Sequence, residues 1–65
     1  MQKMINHNKY LKRTEEEATM IAEKEGFVVR IIERDGKPFM QTMDYRNDRI
    51  NFAIVRGRVA DVSGG

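Results

Sequence analysis

Residues 14–32 read TEEEATMIAEKEGFVVRII, and this stretch contains the clearest signals of local structure in the chain. Thr14 followed by Glu17 has the form of a capping box, in which the threonine hydroxyl accepts from the Glu17 amide and the glutamate reaches back. Apolar residues then recur at helical spacing, and Gly26 stands where helices commonly end. The pattern predicts one helix over about 14–25.

Two segments rich in β-branched and aromatic residues follow this helix and predict strands over 27–33 and 49–55. Arg56-Gly57-Arg58 predicts a tight turn, and residues 59–62 predict a short final strand. The segment 34–48 between the first two strands has no clean period, yet it carries four large apolar side chains, those of Phe39, Met40, Met43 and Tyr45. Long loops of this kind are usually functional, which makes 34–48 the candidate site.

These elements predict an α+β fold in which a single helix packs on a small mixed sheet. We expect the strands at 27–33 and 49–55 to be parallel and to be joined by a long exposed loop. Residues 1–10 read as a flexible basic N-terminal arm, and residues 11–65 as a single domain. The expected core consists of apolar residues from the helix and strands, namely Leu11, Ala18, Ile21, Ala22, Val29, Ile31, Ile50, Phe52, Ile54 and Val62.

Composition and charge set the class of protein. The 65 residues are 40% hydrophobic and 34% charged, which is typical of one small globular domain. Residues 1–13 hold four basic side chains and no acidic one, whereas the rest of the chain has eight bases and ten acids. A basic arm can contact nucleic acid, but only Tyr10 supplies an aromatic ring beside these charges. A solvated N-terminus is therefore the preferred interpretation, with nucleic-acid binding kept as the less favoured alternative.

No apolar run approaches the roughly 20 residues of a membrane-spanning helix, and no signal-peptide pattern is present. We therefore expect no membrane partner and, by default, a cytoplasmic location.

The residue inventory argues against catalysis and against a cofactor. The chain has no cysteine, its only serine is Ser63, and its only histidine, His7, lies in the N-terminal arm. This set nearly excludes a nucleophile held beside a fixed base, and it makes a zinc site implausible. Asp44 and Asp48 form only a weak candidate pair of acid and base. We expect a protein that is not an enzyme and that binds no metal or cofactor.

The loop and the strand that follows it resemble a known family. Residues 42–49, Thr-Met-Asp-Tyr-Arg-Asn-Asp-Arg, are similar to the protease-binding loop of the potato inhibitor I family, which includes barley chymotrypsin inhibitor and leech eglin. They resemble still more closely the bacterial peptidase inhibitors that share a Thr-Met-Asp-Tyr-Arg-x-Asp-Arg segment. The resemblance continues through 50–55 and 61–62 to a terminal glycine, and residues 10–18 resemble the start of the family's single helix.

The resemblance implies that residues 11–65 form an inhibitor-like domain that acts on serine endopeptidases of the subtilisin-like or chymotrypsin-like type. We expect the protein to be a monomer. Its protease-binding loop would consist of Thr42, Met43, Asp44, Tyr45 and Arg46. Met43 would fill the enzyme's primary pocket, and Met43–Asp44 would be the scissile bond of a loop bound as a substrate is bound. A rigid loop lowers the entropy cost of binding and keeps the new amine in place to rejoin.

The resemblance also implies that arginines beneath the loop hold it rigid. Arg49 matches one of these arginines, and its implied partners are Thr42 and Asp44. Asn51 stands where the second arginine is found in the family, so one cation is missing, and Arg46 is the candidate substitute. Without the motif, the expected partner of Arg49 is Asp48 in an ordinary surface ion pair.

A further departure keeps other hypotheses open. The segment between Ile32 and Thr42 is longer than in the plant inhibitors. As an alternative to contacting an enzyme, Phe39, Met40 and Met43 can pack inward as part of the core. A non-inhibitory interaction module of the same fold is the main alternative function, because fold does not guarantee activity.

Overall fold

The computed structural model describes residues 4–41 and 44–65, and the architecture is α+β. No helix in these residues is long and apolar enough to cross a membrane. In chain order the elements are α1 (His7–Tyr10), α2 (Glu15–Lys24), β1 (Val28–Arg34), β2 (Lys37–Pro38), β3 (Arg49–Val55) and β4 (Arg58–Gly64).

The capping box at the start of α2 is formed as the sequence predicts. The Thr14 hydroxyl accepts from the Glu17 amide at 3.2 Å, and Glu17 Oε1 accepts from the Thr14 amide at 3.2 Å. The Thr14 amide and hydroxyl both donate to Glu17 Oε1, and these hydrogen bonds lower the pKa of the Glu17 carboxyl below 4.5. Because the cap satisfies amides that have no partner inside the helix, it defines where α2 begins.

The sheet has the strand order β2-β1-β3-β4, and its two central strands, β1 and β3, are parallel as expected. β2 pairs antiparallel with β1, and β4 pairs antiparallel with β3. Arg56 and Gly57 connect β3 to β4 with φ angles of 52° and 78°, the left-handed pair that a tight hairpin requires. The final strand runs two residues beyond the predicted 59–62, because it stays paired with β3 as far as Gly64.

α2 covers one face of this sheet and forms the core with it. The buried cluster consists of Tyr10, Ala18, Ala22, Phe27, Ile50, Phe52, Ile54, Val59 and Val62. Five partly buried side chains pack around it, those of Ile5, Leu11, Ile21, Val29 and Ile31. All ten predicted core residues belong to one of these two groups, while the sequence prediction omits Tyr10, Phe27 and Val59.

The end of the predicted N-terminal arm requires a correction, because Tyr10 belongs to the domain. Its side chain is 1% exposed, and its ring centroid lies 5.4 Å from that of Phe52. Immediately after it, Lys12 donates its amide to the Val59 carbonyl, and Val59 donates to the Arg13 carbonyl. α2 alone leaves part of the sheet uncovered, and the Tyr10 ring at the end of α1 fills that space.

The predicted loop 34–48 also contains a strand that the sequence prediction omits. Asp35 and Gly36 have φ angles of 51° and 82°, and this turn pairs Arg34 of β1 with Lys37 of β2. Every described residue from 34 to 47 is exposed, as expected for this loop.

Candidate functional site

The candidate site lies on the face of the sheet opposite α2. Along β3, Ile50 and Phe52 point into the core, so Arg49 and Asn51 point to the other side. Both are nevertheless buried, with exposed fractions of 6% and 8%. A buried arginine needs a polar partner to offset the loss of its hydration.

Asp44 is the partner of Arg49. Arg49 Nη2 donates to Asp44 Oδ2 at 3.0 Å, and Nη1 donates to the Asp44 main-chain carbonyl at 3.3 Å. The Arg49 side chain is 7% exposed and that of Asp44 is 55% exposed, so a shielded cation holds an acid at the surface. Two contacts to different groups of Asp44 fix its backbone as well as its carboxylate, which anchors the loop to the start of β3.

Arg46 and Asp48 form a second ion pair within the same loop. Arg46 Nε donates to Asp48 Oδ1 at 3.0 Å, and Nη2 donates to Oδ2 at 2.9 Å. Asp48 is thus the partner of Arg46, and the hypothesis that Arg49 pairs with Asp48 is wrong. Arg46 likewise does not act as the substitute cation on Asp44.

Arg30 contributes a cation that the sequence prediction missed. It lies on β1 as the cross-strand neighbour of Asn51, and its Nη2 is 3.8 Å from Asp44 Oδ1. Its side chain is only 23% exposed. The sequence signal that could have identified Arg30 is its position as the only charged residue in the apolar run FVVRII. A charged residue in such a strand is usually paired with an opposite charge.

Asn51 has no described hydrogen bond to the loop. Its Nδ2 donates to Ser63 Oγ of β4 at 3.5 Å, and its buried Oδ1 has no hydrogen-bond partner among the residues that the structure describes. Asn51 therefore lies between its two cross-strand neighbours, Arg30 of β1 and Ser63 of β4.

Tyr45 lies beside the last residue of the chain. A β-carbon added at Gly65 would come within 3.0 Å of Tyr45 Cε2, and Gly65 has a φ angle of 90°. The Gly65 amide also donates to the Arg49 carbonyl at 3.3 Å. Glycine suits this position because its φ angle is left-handed, and a larger residue would also require the Tyr45 ring to shift. The ring stays 64% exposed and is available to a partner on its outer side.

Thr42 and Met43, the predicted residues around the scissile bond, lie outside the described residues. Upstream of them, Met40 is fully exposed and Phe39 is 42% exposed. The Arg34 guanidinium lies 5.6 Å from the centroid of the Phe39 ring. Neither Phe39 nor Met40 joins the core, so the hypothesis that they pack inward is wrong.

In the described part of the chain, no three histidine, aspartate or glutamate side chains are grouped as a metal site would require. The site is a surface loop in which the buried Arg49 binds the carboxylate of Asp44, with exposed side chains on either side.

No protein-family model, no curated protein and no solved structure matches this chain.

Proposed function

We propose that this protein reversibly inhibits serine endopeptidases by presenting residues 42–46 as a substrate-like loop. The observation that carries the proposal is the pair of contacts from Arg49 to Asp44, the residue that follows the candidate scissile bond. Together with the motif, this contact supplies the rigidity that such an inhibitor needs in a chain without disulfides.

Exposure around the candidate bond supports the proposal. The described residues 39–41 and 44–47 are all exposed. An enzyme could therefore bind the segment in extended form and pair with its main chain, as proteases pair with substrates. Met43, with its flexible thioether, would enter a hydrophobic primary pocket.

The Arg49 contact also gives a reason for slow turnover. Attack by the catalytic serine on the Met43 carbonyl would form an acyl-enzyme and release the α-amine of Asp44. Because Arg49 holds the carboxylate and carbonyl of Asp44, that amine would stay beside the acyl group. Its high effective concentration favours re-formation of the peptide bond over hydrolysis.

The main alternative is an interaction module that keeps the fold without inhibiting a protease. The observation in its favour is that the described hydrogen bond of Asn51 runs to Ser63 and not to the loop. Nucleic-acid binding receives less support, because Lys9 forms an ion pair with Glu25 and Arg13 donates to the Lys9 carbonyl.

Progress-curve assays against subtilisin-like, chymotrypsin-like and trypsin-like enzymes test the proposal. The wild-type chain should inhibit enzymes with hydrophobic pockets, and Met43→Lys should shift inhibition toward trypsin-like enzymes, whose pocket holds an acid. Met40→Lys is the matched control, since it places the same charge three residues earlier and should not create trypsin inhibition. Wild-type protein that inhibits none of these enzymes at high micromolar concentration would refute the proposal.

A further inference from the structure

The side chain of Arg30 shares a sheet face with the anchor of the loop. Val29 and Ile31 pack against the core, so Arg30 between them points to the opposite face. The parallel register places Arg30 of β1 beside Asn51 of β3, the strand that also carries Arg49. Two arginines on neighbouring strands therefore approach the loop from below.

Both arginines approach the carboxylate of Asp44, and they do so at different oxygen atoms. Arg49 Nη2 lies 3.0 Å from Oδ2, and Arg30 Nη2 lies 3.8 Å from Oδ1. The Arg30 side chain is 23% exposed, so its charge is better shielded from solvent than that of a typical surface residue. The carboxylate thus bridges β1 and β3.

We propose that Arg30 is a positioning residue for the loop, acting through Asp44 as the second cation of a clamp that spans two parallel strands. Arg49 binds the main-chain carbonyl and one carboxylate oxygen of Asp44, and the charge of Arg30 on β1, near the other carboxylate oxygen, further restricts the side chain. The consequence for inhibition rests on the proposed function, but the consequence for loop order does not.

Amide hydrogen exchange of residues 44–46, measured without protease, tests this role. Arg30→Gln should speed exchange there roughly 2- to 5-fold, the range expected for one partly exposed ion pair. Arg30→Met, which keeps the aliphatic stem on the strand, should give the same result. Lys24→Gln removes one positive charge from the exposed end of α2 and is the control, in which exchange of 44–46 should not change.

An Asp44→Asn background separates positioning through Asp44 from a general structural effect. If Arg30 acts through that carboxylate, Arg30→Gln should cause no further change in exchange once Asp44 is neutral. Equal acceleration in both backgrounds, or no acceleration of 44–46 by either Arg30 variant, would overturn the proposal.

Inhibition measured on the same variants keeps this proposal distinct from the proposed function. Should Arg30→Gln also weaken inhibition and speed cleavage after Met43 by a similar factor, both proposals are supported. Faster loop exchange in a chain that inhibits no serine protease would support the clamp and refute the inhibitor function. Unchanged loop exchange in a chain that does inhibit would refute the clamp alone.

Discussion

Replacing Arg49 with methionine removes the main anchor of the loop and keeps the aliphatic stem that fills its site. The change abolishes two hydrogen bonds to Asp44, at 3.0 and 3.3 Å. A hydrogen bond to a charged group contributes about 1.5–3 kcal/mol when shielded. Because the Asp44 side chain is 55% exposed, water can hydrogen-bond to it once Arg49 is removed and offset part of the lost free energy. We therefore expect loop anchoring to weaken by about 1–2 kcal/mol.

That loss corresponds to about a 5- to 30-fold increase in amide exchange at residues 44–46, since about 1.4 kcal/mol is a factor of ten. Exchange in the centre of β3 should stay slow. Arg46→Met is the matched control in the same loop: its pair with Asp48 has both side chains well exposed, at 47% and 35%. We expect it to cost less than about 1 kcal/mol. If Arg49→Met leaves exchange of 44–46 unchanged, or speeds it no more than Arg46→Met does, the anchoring argument is wrong.

Three further predictions concern the domain that supports the loop. Tyr10→Ala should cost about 3–5 kcal/mol in urea unfolding because it empties a buried aromatic site, whereas Tyr45→Ala, on a ring that is 64% exposed, should cost about 0.5 kcal/mol. Thr14→Ala should cost about 1 kcal/mol in the same assay, and an unchanged free energy of unfolding would show that the cap does not stabilise α2. The pKa of Glu17 is lower in the folded protein than its ordinary value of 4.5, so its carboxylate stabilises the fold above that pH and loses this effect as pH falls through the folded-state pKa. The melting temperatures of wild type and Glu17→Gln should therefore differ at neutral pH and converge in acid; a difference that persists in acid would contradict the pKa argument.

Local signals in the sequence predicted the main elements because each signal matches a local physical requirement. The capping box defined the start of α2, and the β-branched runs defined β1 and β3. β2 was missed because two residues are too few for a pattern, and it forms only through the turn at Asp35 and Gly36. The burial of Tyr10 was missed because most of its neighbours in the sequence are polar. Its burial depends on space that elements far away in the sequence leave open.

The candidate site was predictable where it is contiguous and unpredictable where it depends on strand register. Asp44 and Arg49 are five residues apart within one motif, and the structure brings them together. The contribution of Arg30 depends on β1 lying beside β3 in a register that pairs Arg30 with Asn51. The spacing of residues in the chain does not show that Arg30 lies near Asp44. A prediction from the motif alone therefore proposed Arg46 as the second cation, whereas the structure pairs Arg46 with Asp48.

The equilibrium between intact and cleaved chain tests the proposed inhibitor function most directly. Samples of intact protein, and of protein cut once between Met43 and Asp44, are incubated with a catalytic amount of subtilisin and followed by mass spectrometry. If the loop holds the new amine in place, both samples should converge on the same ratio of intact to cleaved chain, with no other cut. Digestion at scattered sites, or a cut chain that is never rejoined, would contradict the proposed mechanism.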